Sequence, residues 1–194
     1  MRIFRKGPGP NAMALAMAGV RLGERLLDVG AAAANLFAEM AGKVGLTGRA
    51  CAIVGSEAAG LRVKAAAAKA GVLAEVEVTS WPGLPVGDGE FDLAIVDETA
   101  GLLASLDWTS RVALAGEALR ALRPGGRLLV VERLPRGLLG VLKGQGRQSA
   151  GFQEQGGARS VLEHAGFRPV RVLAEREGQR FTEGWKAAAV SPVP

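Results

Sequence analysis

Short apolar segments alternate with helix-like segments along most of the chain, and this alternation limits the folds that it can adopt. The predicted strands cover residues 25–29, 50–54, 73–79, 91–97, 127–132, 168–174 and 180–187. The predicted helices cover 12–18, 31–43, 57–70, 109 or 110 to 122, and 158–165. Strands separated by helices indicate a parallel sheet covered on both faces. In such sheets a ligand binds beyond the carboxyl ends of the strands.

The length and composition favour a single globular domain. The chain has 194 residues, of which 48% are hydrophobic and 22% charged. We expect a basic, Gly/Pro-rich tail with a short helix over residues 1–20, and one domain over residues 21–190. The single cysteine, Cys51, and the single histidine, His164, argue against a disulfide framework, a metal site and a Ser-His-Asp triad. We therefore predict no metal.

The charge is basic, but it does not by itself indicate a nucleic-acid partner. The formal net charge is +5, whereas aromatic residues make up 5% of the chain and tyrosine is absent. Proteins that bind single-stranded nucleic acid usually add aromatic platforms to a basic groove. Neither a signal-peptide pattern nor a membrane-spanning apolar run is found in the sequence. A cytoplasmic location is the expectation, and binding to nucleic acid is not expected.

Four motifs in order resemble those of class I S-adenosylmethionine-dependent methyltransferases. They are Leu26-Leu-Asp-Val-Gly30, the LPVGDGEFDLAIV stretch at 84–96, the ALRALRPGGRLLVV stretch at 118–131 and LEHAGF at 162–167. The resemblance spans about residues 20–188 and is nearest to the small-molecule group that includes quinone methyltransferases. It implies an α/β, Rossmann-like, doubly wound sheet of seven strands, mostly parallel, with a terminal antiparallel hairpin. The strand count made from the sequence agrees.

The resemblance implies a site for S-adenosylmethionine, and the first loop departs from the family pattern. The family has D-x-G-x-G-x-G, in which glycines let the backbone approach the cofactor. Asp28 and Gly30 match this pattern, but alanine stands at the next two glycine positions, Ala32 and Ala34. Alanine disfavours positive φ, and Ala32 takes the position that usually lies nearest to the cofactor. Asp28 alternatively binds only the backbone N–H groups of the following turn.

Two further departures concern the ribose and the adenine. The acidic residue that follows the second strand in the family is replaced by Val54 or Gly55, depending on the alignment. Ser56 and Glu57 come next, and Glu57 either reaches back to the ribose or only favours the start of a helix. The family's aspartate near the adenine is replaced by Ser80, and Trp81 either stacks on a purine or packs as a lid. The cofactor-binding candidates are thus Asp28, Gly30, Ala32, Gly55, Ser56, Glu57, Ser80 and Trp81.

The sequence offers one weak catalytic candidate and one surface segment. Asp97 follows the fourth strand, where family members often bind substrate or accept a proton. The adjacent Glu98 is expected to point the other way, which argues against a paired acid and base. Residues 133–147 mix basic and apolar side chains, as do segments that bind a protein partner or a membrane surface. An ordinary helix over the sheet is the alternative for this segment.

Two functions follow from these observations. The first is methyl transfer from S-adenosylmethionine to a small-molecule acceptor, which needs alignment more than a catalytic base. The second is a catalytically degenerate domain, a pseudoenzyme that serves as a structural or regulatory subunit of a protein complex. The sequence after the fourth strand, Asp97-Glu-Thr-Ala100, lacks the Asn-Pro-Pro-aromatic type of motif found in base-amine methylators. A nicotinamide enzyme is disfavoured because no strand is followed by G-x-G-x-x-G.

Overall fold

A computed structural model describes residue 9, residues 11–134 and residues 145–189, with side chains described for residues 9, 11–134 and 150–189. Its strands are β1 (Arg25–Val29), β2 (Arg49–Val54), β3 (Glu75–Val78), β4 (Phe91–Glu98), β5 (Leu122–Arg133), β6 (Val170–Arg176) and β7 (Gln179–Trp185). Its helices are α1 (Ala12–Ala18), α2 (Ala34–Val44), α3 (Glu57–Ala70), α4 (Leu102–Ser105), α5 (Trp108–Ala121), α6 (Gln145–Glu154) and α7 (Gly157–Ala165).

The seven strands form one sheet in the order β3-β2-β1-β4-β5-β7-β6. The first five are parallel, whereas β7 runs antiparallel to both β5 and β6. This confirms the predicted fold, including the terminal antiparallel hairpin. The strand order reverses between β1 and β4, and such a reversal opens a crevice at the carboxyl ends of the two strands. The fold therefore places its natural ligand cleft after Val29 and Glu98.

Alternate residues of the central strands enter two separate apolar clusters, one on each face of the sheet. Leu27, Cys51 and Ala94 belong to the cluster that packs against α5 and α7. Leu26 and Ala52 belong to the cluster that packs against α1, α2 and α3. Burial raises the pKa of the Cys51 thiol to about 12, so this cysteine is an unreactive core residue.

The predicted break at residues 123–126 is instead an irregular part of β5. Phe91 of β4 pairs with Leu122, but Leu93 pairs with Arg127, so extra residues bulge out of the ladder. The N–H of Gly125 donates to the oxygen of Lys186 at 3.1 Å, which ties the bulge to the chain after β7. The preceding helix ends at Ala121, close to the predicted Leu122, and only the start of the strand was wrong, since β5 begins at Leu122 rather than Arg127. Proline and glycine are typical of such bulges.

Several helix ends differ from the sequence-based prediction. Helix α2 begins at Ala34 rather than Ala31, because Gly30 and Ala31 both have positive φ. Asp107, rather than Thr109 or Ser110, caps α5 by accepting the Ser110 N–H at 2.9 Å.

Helix α6 was missed because its glycine- and glutamine-rich sequence has no clear apolar period. Within the described helices, none is both long and apolar enough to cross a membrane. The division at residue 20 and the segment 133–147 remain predictions, because residues 1–8, 10 and 135–144 lie outside the described part.

Candidate functional site

A cleft of about 240 Å³ lies at the carboxyl ends of β1 and β4, where the strand order reverses. Backbone and side chains that follow β1, β2, β3 and β4 line it: Gly30, Ala32, Gly55, Trp81, Asp97, Ala100, Gly101, Leu102 and Ser105. Five of the predicted site residues are therefore brought together there. A larger cavity, of about 350 Å³, lies at the amino ends of β2 and β3, where Arg49 pairs with Glu75 and Glu90. Its position is not where this fold binds ligands.

The carboxylate of Asp97 joins the two loops that form the cleft. Its Oδ2 accepts the N–H of Ala33 at 2.8 Å, which fixes the loop after β1. Its Oδ1 accepts the N–H of Thr99 at 3.0 Å, together with the Thr99 hydroxyl. Asp97 is only 2% exposed. Because both oxygens already hold backbone in place, the geometry favours a loop-positioning role over a proton-accepting one; the catalytic role remains a prediction.

The loop after β1 turns through two residues with positive φ. Gly30 has φ of 98°, and a Cβ at that position would lie 3.2 Å from the Asp97 carbonyl oxygen and 3.2 Å from Leu102 Cδ2. Ala31 has φ of 39° although it carries a Cβ. The strain expected at Ala32 is thus found one residue earlier, while Ala32 itself is exposed on the cleft wall. An alanine in this region costs roughly 1–2 kcal/mol.

Asp28 is the penultimate residue of β1, and its carboxyl group is buried without full pairing. The residue is 1% exposed, and its Oδ1 has no hydrogen-bond partner. Every other buried side-chain N or O atom that the structure describes has one. Burial, with a smaller contribution from Asp97, raises the pKa of Asp28 well above its usual value, although a hydrogen bond from the Ala31 backbone opposes this. An unpaired buried acceptor costs about 1–3 kcal/mol, so a donor supplied by a ligand would be favoured there.

Trp81 covers Gly55 at the end of β2. A Cβ built on Gly55 would lie 2.9 Å from Trp81 Nε1 and 3.5 Å from Cε2. Both residues line the cleft, whereas Val54 is fully buried and does not. The sequence left Val54 and Gly55 as alternatives for the family's acidic position. Of these two residues, only Gly55 faces the cleft. A carboxylate side chain there would collide with the indole as it stands.

The other three cofactor candidates do not line the cleft. Ser56 caps α3 by accepting the Ala59 N–H at 3.3 Å. Glu57 is exposed in the first turn of α3, where a carboxylate favours the helix dipole without any ligand. Ser80 is exposed, and its carbonyl oxygen accepts the Thr79 hydroxyl at 3.4 Å. All three lie within a few residues of Gly55 or Trp81, and their contact with a nucleoside remains a prediction.

Helix α4, which sequence reasoning missed, forms the opposite wall and is held by two buried charged residues. The Glu98 carboxylate accepts the N–H groups of Leu103 and Ala104, the latter at 3.0 Å. The Arg111 guanidinium donates to the carbonyl oxygens of the same two residues at 2.7 and 3.2 Å. Leu102 and Ser105 of this helix line the cleft, together with Gly101 just before it. Four residues are too few to show a period, so the sequence offered no signal for it.

Glu98 should make the protein less stable as the pH rises towards neutrality. Burial raises its pKa to about 7 from an ordinary value of 4.5, although the two backbone donors and Arg111 oppose this. The folded state then binds a proton that the unfolded state releases, so this contribution is complete below pH 4.5 and is lost as the pH passes through 7. We expect Glu98 to lower the free energy of unfolding by roughly 3 kcal/mol across this range.

Urea unfolding at pH 5 and pH 8 of the native protein and of Glu98→Gln measures this contribution. The pH dependence should be smaller in the variant because glutamine does not titrate. It should not vanish, because Asp28, whose pKa is also raised, is present in both proteins. Equal pH dependence in the two proteins would contradict the assignment.

Among the described side chains, no group of three or more His, Cys, Asp or Glu residues is arranged to hold a metal ion.

Comparison with known families agrees with this architecture. The sequence profile of a methyltransferase domain family matches residues 27–130, which is more than half of the chain. The matched region begins in β1 and ends in β5, so it contains the whole cleft. The chain belongs to this methyltransferase domain family, and its fold is that of the class I S-adenosylmethionine-dependent enzymes.

Solved structures share the fold at low sequence identity. A SAM-dependent methyltransferase from Aquifex aeolicus superposes with a TM-score of 0.72 at 21% identity, over 92% of this chain and 94% of that one. A candidate O-methyltransferase from Nostoc punctiforme gives 0.69 at 17% identity, over 91% of this chain but 56% of its own. A chain from the complex of the Trm112 methyltransferase activator of Haloferax volcanii gives 0.64 at 16%, over 90% and 88%. None of the curated proteins is significantly similar in sequence.

Proposed function

We propose that the chain transfers a methyl group from S-adenosylmethionine to a small-molecule acceptor in the cleft between β1 and β4. The unpaired, fully buried Oδ1 of Asp28 carries this proposal. It lies two residues before Gly30, at the strand end where the family motif and the cleft coincide. A ligand ammonium group would satisfy this oxygen and would stabilise the ionised carboxylate that burial disfavours.

The residues present fit such a cofactor in part. The ligand would supply an electrophilic methyl group on a sulfonium. Asp28 would accept from its amino group, and the backbone at Gly30 and Ala32 would lie along its carboxypropyl end. Gly55, Ser56, Glu57, Ser80 and Trp81 would surround the nucleoside. Asp97 would keep the two loops at a fixed separation.

Methyl transfer to a small-molecule acceptor would take place in the same cleft and needs no general base. Transfer from a sulfonium requires alignment and exclusion of water more than a general base, so the structural use of Asp97 does not argue against activity. A cytoplasmic location stays a prediction.

The second candidate is a catalytically degenerate domain that binds a protein partner. The position of the Trp81 indole directly over Gly55 favours it. The indole occupies the space that a ribose-binding carboxylate would need. One structural neighbour comes from a complex that contains a methyltransferase activator, which makes a protein partner for this fold reasonable. The segment 133–147 remains the proposed surface for a protein partner or a membrane.

Thermal unfolding with S-adenosylhomocysteine separates the two candidates. With a dissociation constant near 10 µM, a ligand concentration of 1 mM stabilises the folded state by about 2.7 kcal/mol. For a chain of this size, that corresponds to a rise in Tm of about 5–10 °C. Methionine and adenosine at the same concentration are the controls and should produce smaller shifts. An unchanged Tm would favour the degenerate domain.

A further inference from the structure

We propose that the indole N–H of Trp81 recognises the ribose of the bound nucleoside, in place of the carboxylate that the family uses. The inference rests on the proposed function and names a residue that determines its specificity. The sequence places either Val54 or Gly55 at the family's acidic position, and the inference takes Gly55, which lines the cleft. The structure adds that this glycine has a particular neighbour, whose polar atom faces it across the cleft wall.

The position of the indole nitrogen is the first argument. Among the atoms near a Cβ built on Gly55, Trp81 Nε1 is the nearest at 2.9 Å, while Cε2 and Cζ2 lie at 3.5 and 3.7 Å. The edge of the ring that carries the N–H group therefore faces the vacant side-chain position. A side chain on residue 55 would begin in this same space, so the indole nitrogen lies beside the point from which a carboxylate at this position would extend.

The unused donor is the second argument. Trp81 is half-buried and packs against the apolar cluster on one face of the sheet. In the described part of the chain its N–H has no hydrogen-bond partner. Trp185 differs, since its Nε1 donates to Glu183 Oε2 at 2.9 Å. Asp28 Oδ1 is the one buried polar side-chain atom without a partner in the described part, so the Trp81 N–H is accessible to solvent and can donate to a ligand in the cleft.

The chemistry of the ribose permits the exchange. A ribose hydroxyl is both a donor and an acceptor, whereas a carboxylate only accepts and an indole N–H only donates. Replacing one by the other reverses the direction of the hydrogen bond and retains a contact to the sugar. A single neutral bond replaces a bidentate, charged one, so the site should bind nucleosides less tightly than a carboxylate-bearing site.

Nuclear magnetic resonance of the wild-type protein tests this directly. The chain has three tryptophans, so a ¹⁵N spectrum should contain three indole cross-peaks. On titration with S-adenosylhomocysteine, we expect the Trp81 proton to move downfield as it gains a hydrogen bond. The Trp185 cross-peak is the internal control and should stay in place, because its donor is already bonded to Glu183.

The Trp81→Phe variant assigns the cross-peak and measures the contribution of the N–H group, since phenylalanine keeps an aromatic ring. We expect its affinity for S-adenosylhomocysteine to fall about three- to tenfold. Trp108→Phe is the matched control, because Trp108 packs against His164 away from the cleft, and its affinity should not change. Wild-type protein should also prefer adenosine to 2′-deoxyadenosine or 3′-deoxyadenosine, and Trp81→Phe should lose that preference.

The possible outcomes separate the inference from the function on which it rests. If the wild-type protein binds S-adenosylhomocysteine, but the Trp81 proton does not move downfield and Trp81→Phe binds equally well, the inference is wrong and the proposed function stands. If the wild-type protein binds no S-adenosylhomocysteine at millimolar concentration, both are wrong. Should Trp81→Phe fail to fold, the wild-type titration alone decides, with Trp108→Phe and the Trp185 control completing the assignment.

Discussion

Replacing Asp97 with alanine is expected to lower the free energy of unfolding by roughly 3 kcal/mol and to abolish measurable cofactor binding. The substitution leaves the N–H groups of Ala33 and Thr99, and the Thr99 hydroxyl, without their acceptor. The loops after β1 and β4 then lose their bridge, and the cleft between them loses its shape. Urea unfolding and a titration with S-adenosylhomocysteine measure the two effects.

Asp107→Ala is the matched control for Asp97→Ala. Asp107 also accepts a backbone N–H and a hydroxyl, both from Ser110 at 2.9 Å, but it caps α5 and does not line the cleft. We expect a smaller loss of stability than for Asp97→Ala, as is usual for an exposed helix cap, with unchanged affinity. Equal losses of affinity in the two variants would show that Asp97 has no particular role in shaping the cleft.

Gly30→Ala is expected to cost about 2–3 kcal/mol and to reduce the affinity for S-adenosylhomocysteine more than tenfold. Its φ of 98° is unfavourable for any residue with a side chain, and the new methyl group would lie 3.2 Å from both the Asp97 carbonyl oxygen and Leu102 Cδ2. Relief of that contact must separate the β1 and β4 loops. Denaturant unfolding gives the stability, and titration calorimetry gives the affinity.

Gly116→Ala is the matched control for Gly30→Ala: it makes the same chemical change but should raise the stability rather than lower it. Gly116 lies within α5, and nothing is found within 4 Å of its built Cβ. Because alanine is the better helix former, this variant should gain about 0.5–1 kcal/mol and bind the ligand normally. If Gly30→Ala were as stable as Gly116→Ala, the turn after β1 would not need positive φ, and our description of the cleft would be wrong.

Much of the fold could be predicted from the sequence because its signals are local. Buried strands such as Ala50-Cys-Ala-Ile-Val54 are short apolar runs that turn residues interrupt, and the order of helices and strands determines the type of sheet. The bulge at Arg123–Gly126 could not be predicted, since its cause is pairing with Lys186, more than 60 residues away.

The candidate site was predicted less completely, because its decisive contacts join distant residues. A motif drew attention to Asp28 and Gly30, of which Gly30 lines the cleft, but the bridge from Asp97 to Ala33 spans 64 positions. The sequence left Val54 and Gly55 as alternatives, and only Gly55 lies beneath Trp81 on the wall of the cleft. Helix α4 gave no signal of its own, because Glu98 and Arg111 hold it from outside.

The central claim is that the cleft between β1 and β4 binds the methyl donor. Titration calorimetry of the purified protein with S-adenosylmethionine and S-adenosylhomocysteine tests it most directly. We predict saturable binding of one ligand per chain with a dissociation constant in the micromolar range, corresponding to about −8 kcal/mol at 1 µM. Absence of binding at millimolar concentrations of both ligands would contradict the claim and would leave a methyltransferase fold that serves as a subunit.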